Sequence, residues 1–139
     1  MEPSEPCVSI LHENVNVVDV AIRMTGLKPR RGLDKIIGFF KVEPLPDRLF
    51  ENASFSSWNL SSGSLHLMVT VRSKTTGDRR YRYSIAQFPC EIDVHRSKLK
   101  AQRSPHDPSH GFLILSLYKR EPGCDWKTHF AMHGSLNAQ

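Results

Sequence analysis

The chain has 139 residues, with 19 lysines and arginines against 14 acidic residues, so its formal charge is +5. Hydrophobic residues make up 39% and charged residues 24%, which suits one packed domain and is too apolar for full disorder. Composition excludes a collagen, a coiled coil and a disulfide-dense miniprotein, and no apolar run reaches the ~20 residues of a membrane span.

The opening run Met1-Glu2-Pro3-Ser4-Glu5-Pro6 is acidic and proline-rich, unlike the basic-then-apolar order of a signal peptide. It reads as a flexible leader over residues 1–10. A single domain over 11–130 and a flexible tail over 131–139 complete the expected organisation. From Val15 to Met24 the residues alternate: Val18, Val20, Ile22 and Met24 share one face, with Asp19, Ala21 and Arg23 on the other. That period of two in β-branched residues predicts a half-buried strand, ended by Gly26 and Pro29.

Residues 30–50 carry a different pattern. Leu33, Ile36, Ile37 and Phe40 fit the i, i+3, i+4, i+7 stripe of a two-turn amphipathic helix. Gly38 within it costs roughly 1 kcal/mol against alanine, and Pro44 and Pro46 close the segment. The expectation is a short helical or irregular insertion.

The second half is more regular. Leu65, Leu67, Val69 and Val71 alternate with His66, Met68, Thr70 and Arg72, and Tyr81, Tyr83 and Ile85 alternate with Arg80, Arg82 and Ser84. The polar stretch Ser73–Asp78, with Gly77, joins them as a β-hairpin. Phe112–Leu117 is apolar on both sides and so belongs in the middle of a sheet. Ser104–His110 has turn chemistry. These elements predict an all-β antiparallel β-sandwich.

The C-terminal half resembles a CS domain, the β-sandwich of chaperone cofactors, NudC proteins and calcyclin-binding protein. Leu65–Val69 followed by Gly77–Tyr83 is similar to that family's central hairpin. Phe88-Pro89-Cys90-Glu91-Ile92-Asp93 and then Ser97-Lys98-Leu99-Lys100-Ala101 resemble its crossover. Gly111–Glu121, ending at Trp126, looks like its last strand, lysine and closing tryptophan. Against that pattern, residues 30–50 are a long insertion. The resemblance implies a non-enzymatic chaperone adaptor or assembly factor that contacts the ninety-kilodalton heat-shock chaperone through an exposed sheet face. The matching positions are Arg72, Arg80 and Arg82 on the hairpin, with Lys119 and Arg120 at the end of the last strand, and Trp126 as a structural lid. Such charges position an acidic partner and raise its association rate more than its final affinity. The plainer account of the same arginines is that they keep sheet faces and edges solvated.

Chemistry is less well advertised. The chain has no G-x-S-x-G elbow, no phosphate-cradling G-x-x-x-x-G-K and no H-E-x-x-H, so neither enzyme nor cofactor is expected. His106 and His110, with Asp107, could make a loop metal site with Cys90 or Cys124 as a further ligand, and an exposed polar turn is the simpler reading. His129 and His133 are four apart near an expected frayed terminus. Glu91 and Asp93 suit a salt bridge better than an acid–base pair. Three cysteines at wide spacing, Cys7, Cys90 and Cys124, point to reduced thiols and a cytoplasmic or nuclear protein. On that reading the two sequons at Asn52 and Asn59 are chance matches.

The basic balance supports a rival. A pI near 9.3 suits a small structural protein, viral matrix-like, that binds nucleic acid or anionic lipid. Lys28, Arg30 and Arg31 form one cluster, and Arg72, Lys74, Arg79, Arg80 and Arg82 another. Tyr81 and Tyr83 interleave with the second cluster, but a regular strand puts them on the face opposite Arg80 and Arg82, away from the charge.

Overall fold

The computed structural model describes residues 3–30, 37–38, 49–74, 77–106 and 110–138. Among the described residues there are eight strands: β1 Cys7–Glu13, β2 Val17–Arg23, β3 Ile37–Gly38, β4 Ala53–Leu60, β5 Leu65–Val71, β6 Arg79–Ile85, β7 Ile92–Arg103 and β8 Gly111–Lys119. The one helix among the described residues, α1, spans Trp126–His133. The strands form a five-stranded sheet in the order β1-β2-β8-β7-β3 and a three-stranded sheet in the order β4-β5-β6. Every strand pairing within the two sheets is antiparallel. The fold is therefore an all-β, sandwich-like pair of sheets.

Alternation explains which side of each strand is buried. Val18, Val20 and Ile22 on β2, Leu113, Leu115 and Leu117 on β8, and Leu65, Leu67, Val69 and Val71 on β5 all belong to one core cluster. Pleating sends successive side chains to opposite faces, so one apolar set from each sheet meets the other. β8 lies between β2 and β7, and its second face is also covered: Phe112 and Ile114 form a separate buried cluster with Ala21. The Arg23 guanidinium sits 5.0 Å from the centre of the Phe112 ring. Burial on both faces is why this strand carries a continuous apolar run.

Several expectations are corrected. The leader is not loose: Cys7–Glu13 is an edge strand paired with β2, and Ser4 bridges to Tyr81. Its Val8 and Ile10 pack against the core, and that burial repays the ordering. The tail is also docked. Leu136 is fully buried, and the Ala138 N–H donates to the Gln87 carbonyl at 2.7 Å. Ile37–Gly38 is extended and pairs with Lys98–Leu99 of β7, so it does not continue a helix. Leu33, Ile36 and Phe40 of the expected stripe, with Arg31, lie outside the described residues. The ends of the insertion meet: Arg30 N–H donates to the Leu49 carbonyl and Glu51 N–H to the Lys28 carbonyl, each at 2.9 Å.

Local chemistry fixes α1. Asp125 is its N-cap, accepting from the Thr128 N–H at 2.9 Å and the Thr128 hydroxyl at 2.7 Å. Gly134, at φ 67°, ends it in the left-handed region, where glycine carries no steric penalty. Trp126 is fully buried and packs on Phe88, with ring centres 5.3 Å apart. Cys90 and Cys124 are joined as a disulfide, with Cα atoms 6.7 Å apart, and Cys7 is an exposed free cysteine. The expectation of three reduced thiols is thus overturned. Wide sequence spacing says nothing of proximity once the β6–β7 connection and the start of α1 share one end of the sandwich.

Candidate functional site

The β5–β6 hairpin presents the sequence-nominated arginines. Its register sets Thr70 opposite Arg80 and Met68 opposite Arg82, so both arginines fall on the outer face with His66, Met68 and Thr70. Arg72, Arg80 and Arg82 are exposed. None of the three makes a salt bridge among the described residues. On the same face, His66 Nδ1 lies 2.6 Å from the Ser84 hydroxyl. The chain's N-terminal segment closes the free edge of β6: Ser4 N–H donates to the Arg80 carbonyl and Arg82 N–H donates to the Ser4 carbonyl, both at 2.9 Å.

Asn52 organises the end of this surface. Its Nδ2 donates to the carbonyls of Gly26 and Arg72, each at 2.8 Å, and its Oδ1 accepts from the Lys28 N–H at 2.9 Å. Three segments are thereby held around an open polar cavity of about 600 Å³, lined by Lys28, Glu51, Arg72, Lys74 and Asp78 among others. Three cations against two carboxylates leave it weakly positive. A short-range signal for this arrangement was absent, because Asn52 reaches partners 20 or more positions away in both directions.

The tyrosines face inward. Tyr81 is buried, and its hydroxyl oxygen accepts from the Thr25 N–H at 3.0 Å. Tyr83 packs against the core. Burial pushes its hydroxyl up to about 12, with the negative charge of Glu5 adding to the effect. Neither ring lies beside the exposed guanidinium groups, as the alternation predicts. Trp58 is half-buried against the core and meets Phe55 edge-on at 6.2 Å.

The two remaining nominated cations belong elsewhere. Lys119 is buried, not presented to a partner. Its ammonium pairs with Glu13 at 2.7 Å and donates to the carbonyls of Asn14 at 2.8 Å and Cys124 at 2.6 Å. Glu13 in turn accepts from the N–H groups of Trp126 and Lys127 at 2.8 and 3.0 Å. Lys119 thus joins β1, β8 and the start of α1. It alternates inward with Leu117 and Leu115, and an ammonium there requires a buried acceptor. Arg120 is exposed and pairs with Glu91 at 2.8 Å. It follows β8 of the five-stranded sheet, so the fold does not place it on the hairpin face.

The other candidates resolve structurally. Glu91 and Asp93 both serve ion pairs, Asp93 with Arg96 at 3.7 Å. The disulfide occupies both sulfur atoms that a loop metal site could have used, and Asp107 lies outside the described residues. Among the described residues, no group of three or more potential metal ligands converges, and no helix is long and apolar enough to cross a membrane. Ser97 is fully buried. Its hydroxyl donates to the Asp93 carbonyl at 2.8 Å and accepts from the Tyr118 N–H at 3.0 Å, stapling a bulge between Asp93 and Lys98.

No family model, no curated protein and no solved structure matches this chain.

Proposed function

We propose that the chain is a non-enzymatic protein-interaction module that receives an acidic protein surface on the outer face of the β4–β5–β6 sheet. The observation that carries this reading is the pair Arg80 and Arg82, exposed on a fully paired hairpin with no salt-bridge partner among the described residues. Backbone pairing fixes where the two charges stand, so less ordering remains to be done on binding. Arg72 extends the same face. The resemblance of the C-terminal half to CS domains makes a chaperone adaptor the specific form of this proposal. Its first partner to test is the ninety-kilodalton heat-shock chaperone.

The rival reading, a structural protein that binds nucleic acid or anionic lipid, draws support from the cavity of Lys28, Arg72 and Lys74. It is less favoured because both hairpin tyrosines point inward, leaving no ring beside the arginines on which a base could stack. Titration of the chain with the purified chaperone, a single-stranded oligonucleotide and anionic vesicles separates the readings. The expected result is chaperone binding that R80E/R82E weakens about tenfold or more, with the thermal midpoint unchanged. Oligonucleotide or vesicle binding that falls steeply with salt and vanishes in the same variant would transfer the surface to the rival. Binding indifferent to the reversal would overturn both.

A further inference from the structure

The imidazoles of His129 and His133 are one helical turn apart on α1, which is capped at both ends. Residues at i and i+4 lie one above the other on a helix face, and here the two ring centres are 4.5 Å apart with planes inclined by 42°. We propose that these two side chains form a surface chelate for a divalent transition-metal ion of the copper or zinc type.

Three observations support the assignment. The first is distance. A metal ion lies about 2.0–2.1 Å from a ligating imidazole nitrogen, hence about 3.2 Å from the ring centre. Two such rings on adjacent corners of a square-planar copper site have centres about 4.5 Å apart, the separation found here. The second is the tautomer. Nε2 of His129 lies 3.4 Å from the Asn137 carbonyl, and a carbonyl can only accept. The neutral ring therefore donates from Nε2 and keeps the lone pair on Nδ1. A backbone carbonyl on the far nitrogen is how metal-binding imidazoles are commonly oriented. The third is support from the fold. The tail that carries Asn137 is fixed by the buried Leu136, by Gln87 N–H donating to Asn137 Oδ1 at 3.2 Å, and by the Ala138–Gln87 bond.

Imidazole pairs favour copper, nickel and zinc over magnesium or calcium, and Cu²⁺ binds most tightly of the divalent series. His133 is exposed and His129 half-buried, so water completes the coordination sphere. With two protein ligands the ion is exchangeable, unlike one in a closed structural zinc site.

The test uses the full chain without a histidine tag and Cu²⁺ as the probe. Substoichiometric Cu²⁺ should broaden the ring-proton signals of His129 and His133 first. In calorimetry, H129Q and H133Q should each weaken the tightest binding event about tenfold or more, while H106Q and H12Q leave it unchanged. The ion should raise the thermal midpoint of the unmodified chain and lose that effect in the two helix variants. Broadening that starts at other histidines, or unchanged affinity in both H129Q and H133Q, overturns the chelate and leaves the ring contact as packing alone.

Discussion

Lys119 ends β8, and its ammonium finds three oxygens inside the protein: Glu13 Oε2, the Asn14 carbonyl and the Cys124 carbonyl. An ammonium has three donors and no acceptor, so this one is fully satisfied. Lys119→Met would strand the Glu13 carboxylate in the interior, and breaking a buried pair costs about 3–5 kcal/mol. Urea unfolding should show that loss, and the double variant K119M/E13Q should recover part of it, because no unpaired charge then remains. Tyr83 makes a pH-dependent prediction. Its folded value of about 12 lies above the ordinary tyrosine value of about 10. Between those limits the folded chain keeps a proton that the unfolded chain releases. The stability linked to this group is complete below pH ~10 and is lost as the pH rises through about 12. Urea midpoints should therefore fall more steeply with alkaline pH in the native chain than in Tyr83→Phe.

At the scale of elements, α1 is held by several unlike contacts. Asp125 caps it, the Glu13 carboxylate meets its first N–H groups, Trp126 anchors it and the Cys90–Cys124 bond ties its approach to the β6–β7 connection. The disulfide joins residues 34 positions apart, and closing a loop of that size stabilises by about 2–4 kcal/mol, chiefly by restricting the unfolded chain. C90S/C124S should lower the unfolding free energy by that amount in urea titrations under oxidising conditions. A reducing agent should do the same to the native chain and nothing further to the variant. The elements also differ in how legible they were. β5, β6, β2 and β8 announce themselves by alternation or by a continuous apolar run. β4 hides its pattern because the register with β5 shifts between Phe55 and Ser57, so Phe55 and Trp58 fall out of a simple period of two. α1 shows no single apolar stripe: Trp126 is buried while Met132 is 72% exposed.

Across the whole molecule, Trp126 connects the helix to the sandwich core. Replacing a fully buried tryptophan with alanine costs about 3–5 kcal/mol, a large share of the roughly 5–15 kcal/mol that holds a domain folded. W126A should lower the thermal midpoint markedly and expose α1 to proteolysis before the sheets. The excess positive charge bears on association rather than on folding. If the hairpin surface receives an acidic protein, R80E/R82E should act mainly through the association rate, seen in stopped-flow traces as a large fall at low salt that shrinks as salt is added. The surface residues nominated from sequence divide accordingly. Arg72, Arg80 and Arg82 share the exposed hairpin face. Arg120 stands apart with Glu91, and Lys119 serves the interior.

The amino-acid order by itself determined the all-β class, the hairpin, the central position of β8 and the side to which each hairpin arginine points. All four follow from local periodicity, because a strand buried on one face must alternate and a strand buried on both must not. Tertiary structure alone decided the burial of Lys119, the Cys90–Cys124 bond, the docking of both chain ends and the approach of Asn137 to His129. Those pairings join residues up to 106 positions apart, as Glu13 and Lys119 show. They depend on which elements pack together, and no pattern within a single element records that choice.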